Sequence, residues 1–208
     1  MNLGKYNTLT AARYTSVGLF LEDEDGESVL LPMKWVPKDV KEGDELEVFV
    51  YLDHEERPIA TTLTPKATVG DFAVLSVKQV SEPGAFLDWG LEKDLFVPYK
   101  EQRDRMEEGK SYVVYVYIDE LTNRIVASSK VDRFTDKDTS ALEAGQEVEL
   151  LISGKTPLGY KVIINNTNLG LAYEAETFKR VDIGDKLTGY IKTVREDGKV
   201  DVVFEKPG

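Results

Sequence analysis

The chain has 208 residues, a formal net charge of −12, one histidine and no cysteine. The missing cysteines exclude disulfides, thiolate metal sites and Cys–His nucleophiles, and a single histidine excludes a histidine-rich metal site. The acidity runs against the basic footprint usual in nucleic-acid binders. Met1-Asn2-Leu3-Gly4-Lys5-Tyr6 lacks the apolar run of a signal peptide, and no stretch approaches the ~18 apolar residues of a membrane span. A cytoplasmic protein with no membrane contact is expected.

In chain order, Tyr6–Arg13, Val17–Leu21, Ser28–Leu31, Leu46–Leu52 and Pro58–Leu63 read as five short strands rich in Val, Leu, Thr and aromatic residues. Asp25-Gly26 marks a hairpin turn. Pro37-Lys38-Asp39-Val40 reads as a helical turn between the third and fourth strands. Pro65–Thr68 forms the hinge to a second set of strands: Asp71–Val80, Gly84–Trp89, Leu95–Val97, Ser111–Ile118 and Arg124–Ser128. A charged helical segment is expected over Lys100–Glu108. Val131–Ala144 is polar and reads as a linker. A third set follows: Gln146–Ile152, Tyr160–Ile164, Leu169–Tyr173, Lys186–Val194 and Lys199–Phe204, with a helical turn near Ala175–Phe178.

The three sets repeat. Gly84 lies 66 positions after Gly18 (84 − 18), and the same shift carries Phe20 to Phe86, Pro32 to Pro98, Gly43 to Gly109 and Asp53 to Asp119 without a gap. A shift of 75 carries Gly84 to Gly159 and Gly109 to Gly184. Five strands with a helical element between the third and fourth is the order of an oligonucleotide/oligosaccharide-binding barrel. The fold expected is all-β: three tandem five-stranded barrels over residues 1–66, 67–134 and 135–208. Their charges are −6, −3 and −3. Glu22–Glu27 concentrates acid in one turn, either as a solvated hairpin or as a docking site for a basic partner.

Gly84-Ala-Phe-Leu87, the Gly109 before a long strand, and Asp119…Arg124-Ile125…Ser129-Lys130 resemble an S1-type RNA-binding domain. Phe86–Pro98, Gly159–Asn166 and Val194–Lys199 resemble the bacterial conserved virulence factor B family of tandem S1 proteins. Members of that family carry a winged-helix domain after the third barrel, and this chain is expected to lack it. The resemblance implies base stacking on Phe86 and a polar pair at Asp119 and Arg124. Pro83 and Val97 depart from the pattern, standing where many S1 domains have a second aromatic and a histidine. Phe96, Trp89 and Tyr99 are nearby rings. Trp89 reads as turn packing rather than a platform for a base. By strand alternation Phe96 faces opposite to Leu95 and Val97, so only one set can face outward; the sequence leaves open which, and Phe86 is either an outward ring or barrel core.

The function expected is single-stranded RNA binding in post-transcriptional regulation, with no enzymatic activity, cofactor or metal. The candidate contacts are Phe86 and Phe96 for stacking, Asp119 for polar contacts, and Lys78, Lys100 and Arg124 for phosphate. The alternative is a protein-docking module, with a partner met through the acidic first unit. That unit has Pro58 where the second has Arg124 and reads as a scaffold adding little RNA affinity. In the third, Lys161 replaces the Phe86 ring. No phosphate-cradling glycine loop or serine elbow is present.

Overall fold

The structure is a computed structural model that describes residues 1–207. Among these residues, strand propensity and alternation are realised in fifteen strands. The first barrel comprises β1 (Lys5–Tyr14), β2 (Gly18–Glu22), β3 (Ser28–Pro32), β4 (Glu45–Leu52) and β5 (Pro58–Thr61). The second comprises β6 (Phe72–Val80), β7 (Gly84–Asp88), β8 (Leu95–Pro98), β9 (Ser111–Asp119) and β10 (Arg124–Ser128). The third comprises β11 (Glu147–Lys155), β12 (Gly159–Ile164), β13 (Asn168–Tyr173), β14 (Lys186–Val194) and β15 (Val200–Val203).

Each set closes into a barrel with the same neighbour order: first, second, third, fifth, fourth. Closure leaves no open sheet edge. In every barrel the third and fifth strands pair in parallel, at Leu30 with Ile59, Phe96 with Val126, and Leu171 with Asp201. The long first strand carries a bulge at the same place each time, between Ala11 and Arg13, Val77 and Gln79, and Ile152 and Gly154. Those positions differ by the same 66 and 75 that relate the glycines. A bulge bends and twists its strand, as barrel closure requires.

The repeated glycine at the start of each second strand has a steric cause. A Cβ on Gly84 would stand 2.3 Å from the carbonyl oxygen of Val97, across the ladder on β8. The same atom would stand 2.2 Å from Leu31 O at Gly18 and 2.0 Å from Ala172 O at Gly159. The strands approach too closely there for any side chain.

Two helical expectations are corrected. Between β8 and β9 only Tyr99–Glu101 is helical, as a single 3-10 turn, and 102–110 is turn and coil. The buried Gln102 takes over the bonding that a helix would supply: its Nε2 donates to Val97 O at 3.1 Å and its Oε1 accepts from Met106 N at 2.9 Å. In the first barrel the 3-10 turn is Met33–Trp35, ahead of Pro37–Val40. The segments between barrels are tied down. Lys66 N donates to Trp89 O at 2.7 Å, and Asn168 Nδ2 donates to the carbonyls of Asp136 and Asp138 at 2.9 and 3.0 Å.

The chain forms two compact units, residues 1–71, 75–110 and 116–128 in one, and 72–74, 111–115 and 129–208 in the other. Within the first unit, Trp89, on the loop after β7, is buried against β4 of the first barrel. Its ring meets Phe49 at 5.7 Å and Tyr51 at 6.3 Å, both edge-on, and its Nε1 donates to Lys93 O at 2.7 Å. Within the second unit, the third barrel is filled by Val148, Ile152, Val162, Ile164, Ile191 and Val202. A further apolar cluster joins Phe72, Val113 and Val131 to Leu151 and Ile163.

Candidate nucleic-acid interface

Alternation along β7 and β8 decides which rings face outward. Ala85, Leu87, Leu95 and Val97 point into the second barrel and are buried. Phe86 and Phe96 point the other way and are half-buried. They are direct cross-strand partners, with ring centroids 5.2 Å apart and planes inclined by 33°. Such tilted pairs are favourable beyond their burial, which keeps the two rings together as one apolar surface.

This surface opens into a cleft of about 580 Å³ within the first unit. Part of its wall comes from the first barrel: Tyr51 at the end of β4, and His54 and Glu56 on the turn that follows. That turn is rigid. Asp53 Oδ1 accepts from Glu55 N at 2.8 Å and Arg57 N at 3.0 Å, and Glu56 adopts a positive φ of 62°. Desolvation opposes ionisation of the Asp53 carboxyl, but the amides of Arg57 and Glu55, with the Arg57 charge, hold it below the usual carboxylate range. Burial pushes the Tyr51 hydroxyl up to about 12, helped by the negative charges of Glu92 and Asp53. Tyr51 is therefore a neutral wall at physiological pH.

The charges around the cleft are paired. Glu56 Oε1 lies 3.1 Å from Lys93 Nζ, and its Oε2 lies 3.4 Å from Arg124 Nε. Glu92 accepts from Lys34 Nζ and Trp35 Nε1, both at 2.7 Å, and these bonds hold its carboxyl below the usual range. Lys78 stands 3.4 Å from Asp94 Oδ1, a solvent-excluded oxygen with no hydrogen bond.

The expected contacts are thus distributed unevenly. Phe86, Phe96 and Arg124 line one cleft. Lys78 is exposed on β6 outside its lining, and Lys100 is exposed on the 3-10 turn after β8. Asp119 also lies outside the lining and uses Oδ1 to accept from Leu121 N at 3.0 Å, closing its own turn. The ion pair of Arg124 is with Glu56, on the first barrel. Sequence reasoning missed Tyr51, His54, Glu56 and Lys93. Glu56 sits in an acidic turn with no local signal, because its two partners are 37 and 68 positions away (93 − 56, 124 − 56).

The third barrel presents a different surface at the matching place. Lys161 stands across the ladder from Leu171, replacing the ring pair, and its ammonium is paired with Asp132. A cleft of about 810 Å³ lies there, walled by Leu158, Leu169 and Leu171, with Arg195 held on both carboxylate oxygens of Asp201 at 3.0 Å. It is the larger cleft, but it has no aromatic platform.

Fifteen strands in three identically ordered closed barrels define a tandem array of oligonucleotide/oligosaccharide-binding folds. A family model described as the S1 domain matches residues 3–63 and 69–130, and the chain belongs to the S1 domain family. The uncharacterized protein YitL of Bacillus subtilis (strain 168) is 28% identical over 219 aligned positions, which cover 97% of this chain and 70% of that protein. A crystal structure of a multidomain protein with nucleic acid binding domains from Streptococcus pneumoniae is similar in fold. Its TM-score is 0.54 at 19% identity, covering 98% of this chain and 74% of the other. Among the described residues no helix is long and apolar enough to cross a membrane, and no cluster of three or more acidic or histidine side chains is placed to hold a metal.

Proposed function

We propose that the chain binds single-stranded RNA, with the second barrel as the principal site and Phe86 and Phe96 as its stacking platform. The observation that carries this reading is the outward cross-strand ring pair, 5.2 Å between centroids, open to a cleft. Two adjacent rings without polar tips offer a flat apolar surface to bases of any identity, so sequence preference is slight. S1 family membership supports the reading, as does the fold shared with the Streptococcus pneumoniae protein. Residues 1–66, 67–134 and 135–208 act as three modules without chemistry of their own. The likeness of Phe86–Pro98 and Val194–Lys199 to the conserved virulence factor B family extends the role to post-transcriptional regulation in the cytoplasm.

A second reading, docking of a protein partner, is favoured by one specific observation: Lys78, Lys93 and Arg124 are each paired with a carboxylate rather than gathered into a positive patch. Fluorescence anisotropy of a labelled oligo-U at low salt separates the two. The parent is expected to bind, and Phe86→Ala to weaken binding by ~1–3 kcal/mol. Equal binding by both places the RNA surface away from Phe86, and none by the parent removes the RNA reading.

A further inference from the structure

Lys93 and Arg124 approach the same point from different parts of the second barrel. Lys93 lies in the loop between β7 and β8, and Arg124 opens β10. Between them sits one carboxylate, Glu56, with one oxygen 3.1 Å from Lys93 Nζ and the other 3.4 Å from Arg124 Nε. Lys93 Nζ also donates to Asp53 O at 2.9 Å. All three side chains line the cleft that holds Phe86 and Phe96.

Two cations converging on two oxygens of one anion is the arrangement that a phosphate diester would occupy. The ring pair of Phe86 and Phe96 opens into the same cleft as these two cations. The anion found there belongs to the first barrel and is delivered by a turn fixed through Asp53. Its placement therefore costs little entropy, and it competes with any incoming phosphate.

We propose that Lys93 and Arg124 form the phosphate subsite of this cleft, and that Glu56 of the first barrel occupies it in the free protein. RNA enters by displacing Glu56, so the first barrel acts as a gate on the second. This inference rests on the RNA-binding reading above. It assigns the first barrel's acidity a local role, in which one carboxylate at one subsite sets the affinity.

The test compares Glu56→Gln with Glu55→Gln in the full chain, using labelled single-stranded RNA over a salt series. Both variants remove one negative charge from the same turn. Glu55 pairs with Arg57 at 2.8 Å and lies outside the cleft lining, so its variant reports the general effect of charge. Glu56→Gln is expected to bind roughly three- to ten-fold more tightly at about 50 mM salt, the range set by releasing two exposed ion pairs. Its log–log salt slope steepens by about 0.7 for each further phosphate neutralised. Glu55→Gln stays within about two-fold of the parent, and adding Lys93→Ala to Glu56→Gln abolishes the gain. If Glu56→Gln binds no tighter than the parent, or if Glu55→Gln matches it, the gate does not exist while RNA binding stands. If parent and variants all fail to bind RNA at low salt, the RNA reading and the gate fall together. Should the glutamine variant unfold, Glu56→Asp, which keeps the charge but withdraws it by one methylene, is expected to tighten binding more weakly, and no change would overturn the gate.

Discussion

Trp89 of the second barrel lies edge-on to Phe49 of the first, 5.7 Å between ring centroids and 85° between planes, with both side chains almost wholly buried. The first barrel is thus part of what keeps the loop after β7 in place. Phe49→Ala is expected to lower stability by ~3–5 kcal/mol, because it opens a cavity beneath Trp89 and Tyr51. Urea denaturation followed by tryptophan fluorescence measures this. Removing residues 1–66 should destabilise the second barrel for the same reason. A second barrel equally stable without them would show that the contact is incidental. Residues Tyr51, His54 and Glu56 of the first barrel also wall the cleft.

Phe86 and Phe96 touch each other, so their effects on binding should not add. Each single change to Ala is expected to weaken single-stranded RNA binding by ~1–3 kcal/mol, and the double change by less than the sum. Salt should leave these losses nearly unchanged, since stacking is a short-range contact. Leu87→Ala is the contrast. Leu87 is fully buried beside Phe86, and its truncation should cost ~2–5 kcal/mol of stability. If Phe86→Ala destabilises the fold as much as Leu87→Ala, the outward ring is a packing residue and not a platform.

The alkaline limb of stability should depend on Tyr51. Burial, with the charges of Glu92 and Asp53 beside it, raises its hydroxyl to about 12 in the folded chain. An unfolded tyrosine ionises near ~10. The folded state therefore holds this proton more tightly. The contribution is fully present below pH ~10 and is lost as pH rises from ~10 to about 12. Tyr51→Phe should remove this part of the loss, so that parent and variant diverge only above pH ~10. Parallel stability curves across that window would contradict the assignment.

The acid limb should involve Glu92. Hydrogen bonds from Lys34 and Trp35 lower its carboxyl, so its stabilising contribution is present above the unfolded pKa and is lost as pH falls through the folded one. Glu92→Gln should flatten stability against pH on the acid side of ~4.3, the ordinary glutamate value. An unchanged acid limb would show that this bridge between the first two barrels contributes nothing.

Gly84→Ala tests the steric account of the repeat. The added methyl would stand 2.3 Å from Val97 O and 3.0 Å from Pro98 Cα, which are backbone atoms that cannot swing aside. Overpacking of this kind typically costs ~1–3 kcal/mol. Gly109→Ala makes an instructive comparison, because its positive φ of 81° strains a side chain but nothing stands within 4 Å of the new Cβ. Gly84→Ala is expected to lower the thermal midpoint and also to disturb RNA binding, since Phe96 would be pushed from beneath. A variant with unaltered stability would mean that β7 and β8 separate easily.

The sequence by itself determined the barrels. Alternation along short β-branched strands, a glycine at the start of each second strand and an ungapped 66-residue offset are local or strictly periodic signals. They carry strand order and barrel count, because a closed five-stranded barrel leaves few other ways to bury those faces. The same alternation assigns Phe86 and Phe96 to one face once Leu87 and Leu95 are placed in the core. Only the tertiary structure decided what surrounds them. The Lys100–Glu108 segment has helical composition, but a buried Gln102 satisfies its backbone without a helix, and no local pattern reports that. Arg124 pairs with Glu56 rather than standing free, Trp89 packs on Phe49, and Lys93 joins the cleft, each across tens of residues of chain. Charge pairing and cleft formation depend on which barrel surfaces meet. That is set by shape and burial summed over both barrels, and no periodicity in the chain encodes it.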